Sequence, residues 1–152
     1  MITFKRTNSS DIDFIHLVNF LDADLKIRDG EDHDFYHQFN HIDNLNYCIV
    51  AYINDIAVGC GAIKPFDAQS MEVKRMYVMP EHRGKGIAIN ILQNLEHWAT
   101  ELQYKKCVLE TGLQQPEAIA LYKKSGYQVI PNYGQYIGIE NSVCFEKNLE
   151  SK

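Results

Sequence analysis

The chain has 152 residues, of which 45% are hydrophobic and 23% charged, and its formal net charge is −5. This size and composition are typical of one globular domain with its own core, so we expect residues 1–152 to form a single domain. The negative charge argues against nucleic acid as the partner, because phosphate binders need a concentrated basic face, and no apolar run in the sequence is long enough to cross a membrane.

The first half of the chain predicts a strand, a long helix, a short helix and a β-hairpin. ITFKRT alternates as a strand does, and the cap-rich NSSD precedes a helix from Asp11 to about Ile27, where apolar residues recur at helical spacing. The segment HDFYHQFN, residues 33–40, is a candidate for a second helix. YCIVAYIN and IAVGCGAIKPF are strand-like, and Asn54 and Asp55 between them predict a tight turn.

The second half alternates strands and helices. MEVKRMYVM is a strand of mixed character, followed by a glycine-rich turn and an amphipathic helix whose apolar residues run from Ile87 to Leu102. KCVLET is a short strand, and PEAIALYKKSGY is a compact helix with Pro116 in its first turn and Gly126 after its end. SVCFEKNL is a closing strand. This order predicts an α/β fold on a mixed sheet.

The turn EHRGKGIAIN, Glu81 to Asn90, has the chemistry of an anion site. The first N–H groups of a helix have no intrahelical partner and carry the positive end of its dipole. Glycines allow close approach of a ligand to the backbone, and Arg83 and Lys85 add positive charge. The turn therefore predicts a phosphate or pyrophosphate site from about Arg83 to Ala88. An ordinary glycine turn with solvated cations is the alternative.

Two familiar phosphate motifs do not fit this turn. A Walker A loop requires G-x-x-x-x-G-K-[ST], but Lys85 is followed by Gly86. A dinucleotide fingerprint requires a third glycine where Ile89 stands.

Two motifs together resemble the GCN5-related N-acetyltransferases, the GNAT superfamily. RGKGIA matches the R/Q-x-x-G-x-G/A signature, with Arg83, Gly86 and Ala88 at its defined positions. QPEAIALYKKSGY matches the family's N-x-x-A-x-x-L-Y-x-x-x-G-F/Y helix. The resemblance implies a single-domain α/β fold with a mixed, mostly antiparallel sheet that splays between strands 4 and 5 and is flanked by about four helices. It also implies direct acetyl transfer from acetyl-CoA to an amine, without a covalent enzyme intermediate.

The resemblance also implies roles for individual residues. The backbone of Met76, Tyr77 and Val78 would pair with the pantetheine arm as an added strand, and the Val78 amide would polarise the thioester carbonyl. Tyr122 would protonate the leaving thiolate. Gln115 stands where the family often has a pantetheine-contacting asparagine, and glutamine keeps the amide group on a longer side chain. The pyrophosphate would be held by Arg83, Gly84, Lys85, Gly86, Ile87 and Ala88.

Glu72, at the start of the strand MEVKRMYVM, is the candidate general base. An ammonium must lose a proton before it can attack a thioester, and many family members carry a glutamate at this place. Pairing of Glu72 with a surface cation, and a water-mediated proton path, are the alternatives. Strict alternation predicts that Glu72, Lys74, Met76 and Val78 share one face of the strand.

The resemblance implies that the acceptor pocket lies between RDGEDHDFYHQFN and the loop PNYGQYIGIEN. Acidic groups there suit an ammonium and an arginine suits a carboxylate, so we expect a small polar, amino-acid-like amine. The histidines at 33, 37 and 41 suggest a metal alternative, but a solvated helix face is favoured and no metal is expected. The predicted pocket residues are Arg28, Asp29, Glu31, His33 and Arg75.

Other function classes remain open at this stage. Acetylation of protein N-termini or lysines, a CoA-binding module without turnover and a metal-dependent hydrolase are the alternatives, and a homodimer is a possible assembly. The N-terminal sequence lacks the apolar stretch of a signal peptide, which predicts a cytoplasmic protein. The cysteines lack a C-x-x-C pair and are expected to be buried free thiols. They are Cys48, Cys60, Cys107 and Cys144.

Overall fold

The computed structural model describes residues 1–29 and 44–149, without the side chains of Arg28 and Asp29. Seven strands and three α-helices lie in this part of the chain. In chain order they are β1 (Ile2–Thr7), α1 (Ile12–Asp29), β2 (Tyr47–Ile53), β3 (Ile56–Pro65), β4 (Ser70–Val78), α2 (Ile87–Glu101), β5 (Lys106–Gly112), α3 (Pro116–Lys124), β6 (Gln128–Ile130) and β7 (Ser142–Asn148). The predicted helix at residues 33–40 lies outside the described residues.

The strands form one mixed sheet in the order β1-β2-β3-β4-β5-β7-β6. All neighbouring pairs are antiparallel except β4 and β5. That parallel pair covers only three positions, from Ser70–Lys106 to Glu72–Val108, although β4 continues to Val78 and β5 to Gly112. The two central strands therefore separate beyond Glu72, which confirms the predicted splay between strands 4 and 5.

The two faces of the sheet carry separate cores. Phe14, Leu17 and Val18 of α1 pack on one face. On the other face, Ile91 and Leu95 of α2 and Tyr122 of α3 belong to a single cluster. All four cysteines are free and buried, as predicted. No helix in residues 1–29 and 44–149 is long and apolar enough to span a membrane.

Strand β4 contains a β-bulge at Arg75, which has a left-handed backbone with φ of +61°. Cys60 of β3 faces Tyr77 and Ala62 faces Lys74, so Arg75 and Met76 together oppose Gly61. A bulge inserts one residue into the ladder and reverses the alternation of side chains beyond it.

The bulge makes the predicted face assignment of this strand wrong beyond Lys74. Met71 and Val73 before the bulge and Met76 and Val78 after it all pack on the α2 face. Tyr77 packs on the α1 face. By alternation, Glu72 before the bulge shares that α1 face with Tyr77 rather than the face of Met76 and Val78.

The bulge also explains why residue 61 is glycine. A Cβ there would lie 2.6 Å from Met76 Sδ, 2.9 Å from Leu95 Cδ1 and 3.0 Å from Ile91 Cγ2.

We expect Gly61→Ala to lower the free energy of unfolding by about 1–3 kcal/mol through overpacking, measured by urea denaturation. The matched control is Gly112→Ala, whose Cβ would meet no described atom closer than 3.7 Å. Equal stability of the two variants would contradict this explanation.

Candidate active site at the splay

The glycine-rich turn links β4 to α2 and opens toward solvent. Gly84 and Gly86 have φ of +82° and +81°, a region that favours glycine, and Gly86 is the residue before the first turn of α2. A Cβ at either glycine would meet no described atom within 4 Å. The space in front of the helix N-terminus is therefore open, as an anion site requires.

A cavity of about 330 Å³ lies against this turn. It brings residues of α3 next to the start of α2, so the anion site has a second wall, and that wall includes Lys124. We had not predicted Lys124, although its place in the last turn of the motif helix was a usable signal. The lining residues are Val78, His82, Arg83, Gly84, Gly86, Ile87, Ala88, Ile89, Ala120, Leu121 and Lys124. The pyrophosphate role of this turn stays a prediction.

The side chain of Arg83 is held against the end of β4. Its Nε donates a hydrogen bond of 2.8 Å to the carbonyl of Val78, and its guanidinium carbon lies 5.4 Å from the centre of the Tyr77 ring. Lys85 lies beside His82, with 3.3 Å between Nζ and Nδ1. Arg83 thus joins the turn to the strand that precedes it, while it keeps a positive charge at the rim of the cavity.

A second cavity, of about 110 Å³, occupies the splay. Both central strands, α1, α3 and the loop before β7 contribute to its walls. The cavity brings together five predicted site residues from distant parts of the chain, namely Glu72, Arg75, Met76, Gln115 and Tyr122. The other lining residues are Leu21, Leu25, Val73, Lys74, Glu110, Thr111, Gly112, Ala118 and Tyr136.

Within the described pairs, no β5 residue is matched with Met76, Tyr77 or Val78, because the β4–β5 ladder ends at Glu72. The β5-facing edge of this backbone therefore borders the splay. Such an edge is the kind of surface to which an extended ligand can add as a strand. The predicted pantetheine contact is compatible with this geometry.

Glu72 is buried, with 5% of its surface exposed. The Tyr133 hydroxyl donates a 2.8 Å hydrogen bond to its Oε2, and Lys74 Nζ lies 3.8 Å from its Oε1. The side chain of Lys74 is only 9% exposed, so the cation beside Glu72 is a buried, cavity-lining residue rather than a surface one. Burial lowers the pKa of Lys74, an effect that the neighbouring carboxylate of Glu72 opposes.

Tyr122 is buried between other aromatic rings. Its ring centre lies 5.8 Å from that of Tyr127 and 6.0 Å from that of Phe145. Burial first, and the negative charge of Glu110 second, raise the pKa of Tyr122 above its usual range. The hydroxyl therefore stays protonated at neutral pH, although the raised pKa makes it a weaker acid than an exposed tyrosine.

Arg75 lines the splay cavity but is bound to α1. Its Nη1 donates a 2.8 Å hydrogen bond to Asp22 Oδ1, and its side chain is 2% exposed. The side chains of Arg28 and Asp29, and all of Glu31 and His33, lie outside the described residues, as do the histidines at 37 and 41. In the described part of the chain, no group of three or more His, Cys, Asp or Glu side chains could hold a metal ion.

The loop before β7 was predicted from the sequence as one wall of the acceptor pocket, but no role was predicted for its individual residues. Asn132 Nδ2 donates to the carbonyls of Tyr136, Ile139 and Ser142, at 3.1 to 3.2 Å, which holds the loop in a compact form. Tyr136 is 1% exposed and lines the splay cavity. Lys74 and Glu110, which line the cavity, and Tyr133, which contacts Glu72, were also missed, because no local pattern in the sequence marks such side chains.

Comparison with known proteins found similarity to acetyltransferases. The model of a family described as "Acetyltransferase (GNAT) family" matches residues 15–127. A protein from Azospirillum brasilense named IAA acetyltransferase is 38% identical over 103 residues, which are 66% of this chain and 67% of that protein.

Two solved structures extend the likeness to nearly the whole chain. A protein from Klebsiella pneumoniae, described as an acyl-CoA N-acyltransferase, is 31% identical over 99% of both chains, with a TM-score of 0.83. A GNAT family acetyltransferase from Elizabethkingia anophelis, solved with acetyl-CoA bound, covers 97% of both chains with a TM-score of 0.68. At 20% identity, the second likeness concerns the fold.

Proposed function

The chain belongs to the GNAT family, N-acetyltransferases that take the acyl group from acetyl-CoA, and from this premise we propose that it acetylates the primary amine of a small, polar, amino-acid-like molecule. The observation that carries the choice of acceptor is the cavity at the splay. Its volume of about 110 Å³ suits a small molecule, whereas a peptide would need an open groove. We therefore place acetylation of protein termini or lysines second.

The charges that line the cavity support an acceptor with both an amine and an acidic group. Glu72 and Glu110 are carboxylates that would attract an ammonium, and Lys74 and Arg75 are cations that would attract a carboxylate. Because Arg75 is already paired with Asp22, we assign the carboxylate of the acceptor to Lys74, whose Nζ lies 3.8 Å from Glu72 Oε1.

The proposed reaction includes two proton transfers, one on each face of the sheet. Acetyl-CoA supplies an activated thioester. Glu72, on the acceptor side, accepts the proton that the ammonium must lose, since an alkyl ammonium has a pKa of about 10. Tyr122, on the α2 and α3 side, donates a proton to the leaving thiolate, and because the conjugate thiol has a pKa of about 8.5 this contribution is modest. The open turn at Gly84 and Gly86 fits the pyrophosphate, since a Cβ at either position would project into that space.

An amine panel tests the proposal. Purified protein is incubated with acetyl-CoA and amino acids, polyamines, N-terminal peptides or IAA, the compound in the name of the Azospirillum relative. The release of free CoA thiol is followed, and the acetylated products are identified by mass spectrometry. We expect acetylation of amino acids or related small amines. Reaction with peptides or polyamines alone would contradict the acceptor class, and tight CoA binding without thiol release would indicate a binding module.

Tyr122→Phe should lower kcat for the best acceptor about tenfold and leave the Kd of acetyl-CoA within twofold, because it removes a proton donor and keeps the ring. Stopped assays of initial rate and calorimetric titration measure the two quantities. Tyr127→Phe is the matched control. Tyr127 is buried beside Tyr122, but its hydroxyl donates a hydrogen bond to Glu96. Equal activities of the two variants would remove the acid role from Tyr122.

A further inference from the structure

We propose that Tyr133 is a positioning residue for the transfer reaction: its hydroxyl orients the carboxylate of Glu72 to receive the proton of the acceptor. This inference rests on the proposed function, in which Glu72 is the base. It assigns a catalytic purpose to the loop between β6 and β7, which lies far from Glu72 in sequence.

The geometry of the contact carries the proposal. The Tyr133 hydroxyl lies 2.8 Å from Glu72 Oε2, while Oε1 is on the side of Lys74 at 3.8 Å. A donor on one oxygen restricts rotation of the carboxylate and leaves the other oxygen, Oε1, without that hydrogen bond. General-base catalysis depends on such orientation, because proton transfer requires hydrogen-bond distance and alignment.

Tyr133 is itself held in place from two sides. Its ring packs edge-on against Phe66, 4.8 Å between centres, and against Tyr136, 5.9 Å between centres. The three hydrogen bonds from Asn132 hold the loop directly beside it. A rigid ring on a braced loop can position a partner, whereas a tyrosine on a free loop could not.

Ionisable groups reach Glu72 from every neighbouring element. Lys74 lies on the same strand, Lys64 of β3 is its register partner, and Glu110 of β5 shares the cavity wall. Burial first, and the charge of Glu72 second, raise the pKa of Tyr133 above its usual range. The hydroxyl is therefore the donor and the carboxylate the acceptor. Tyr136, another ionisable side chain of the loop, also has its pKa raised by burial and by Glu110 and Glu72.

The test is Tyr133→Phe, which keeps the ring and removes the donor. A hydrogen bond to a charged group favours the ionised form, so its loss should move the acidic limb of the kcat/KM pH profile upward by about one pH unit. We also expect kcat at neutral pH to fall about tenfold, with the KM for acetyl-CoA within twofold of wild type. Initial rates between pH 5 and 9 measure all three quantities.

Tyr52→Phe is the matched control, because the Tyr52 hydroxyl also donates to a carboxylate, Asp13 Oδ2 at 2.7 Å, but neither residue lines the splay cavity or the cavity at the glycine-rich turn. It should leave the pH profile unchanged. In the Glu72→Gln background, Tyr133→Phe should have no further effect on kcat if Tyr133 acts through Glu72.

The outcomes separate this inference from the proposed function. If wild-type protein acetylates small amines but Tyr133→Phe keeps the wild-type pH profile and kcat, the positioning role is overturned and the function stands. An additive loss in the Glu72→Gln background also overturns it. Absence of acetylation by wild-type protein overturns the proposed function itself.

Discussion

Replacing Glu72 by glutamine is expected to lower kcat/KM for the acceptor amine by about a hundredfold to ten-thousandfold, the range that positioned general bases contribute. The amide keeps the size of the side chain but cannot take up the proton of the ammonium. The Kd of acetyl-CoA should stay within about twofold of the wild-type value, because Glu72 lies on the α1 face of the sheet, where the acceptor is proposed to bind. Initial rates and calorimetric titration measure the two quantities.

The control for this change is Glu96→Gln. Glu96 is buried to a similar extent, 8% exposed against 5% for Glu72. It also accepts a hydrogen bond from a tyrosine, Tyr127, and pairs with a lysine, Lys147, each at 2.9 Å. Its loss should cost stability and leave kcat nearly unchanged. If both variants lose activity to the same degree, Glu72 is a structural carboxylate and the base must be sought elsewhere, with water as the first candidate.

Replacing Gly86 by valine is expected to raise the Kd of acetyl-CoA by about a hundredfold, which corresponds to about 3 kcal/mol of binding free energy. The backbone of residue 86 has φ of +81°, a region that a β-branched residue rarely adopts. The new side chain would also project into the space where an anion meets the helix N-terminus. Titration calorimetry with acetyl-CoA and with CoA measures the effect.

Gly138→Val separates the loss of the anion site from backbone strain. Gly138 has nearly the same φ, +82°, and a Cβ there would likewise meet no described atom within 4 Å. It lies in the loop before β7, away from the glycine-rich turn. The two variants should lose similar amounts of stability, but only Gly86→Val should lose affinity for acetyl-CoA. Unchanged affinity in Gly86→Val would show that the turn does not hold the pyrophosphate.

The elements around the donor site could be predicted from the sequence because their signals are local. ITFKRT was predicted as a strand and β1 spans Ile2–Thr7. The helix after the glycine-rich turn was predicted from its apolar spacing, and α2 begins at Ile87. The αL glycines, the cations and the helix start lie within a few residues of one another. The features that identify the turn could therefore all be read from one short stretch of the sequence.

The acceptor side could not be predicted in the same way. The bulge at Arg75 depends on the pairing of β4 with β3, which no local pattern encodes, and it reversed the predicted faces of Met76 and Val78. Arg75 was predicted as a pocket residue and lines the splay cavity, but its pairing with Asp22 of α1 could not be read from the sequence. The partner of Glu72, Tyr133, lies 61 residues along the chain.

By itself, the sequence determined the family, the order of the described strands and helices and the glycine-rich turn, since each depends on residues that are close in the chain. Only the tertiary structure decided which charged side chains share the cavity at the splay. The separation of β4 from β5 creates that cavity, and β4, β5, α1, α3 and the loop before β7 each supply part of its wall. Side chains that meet across such distances are brought together by packing and register rather than by local propensity.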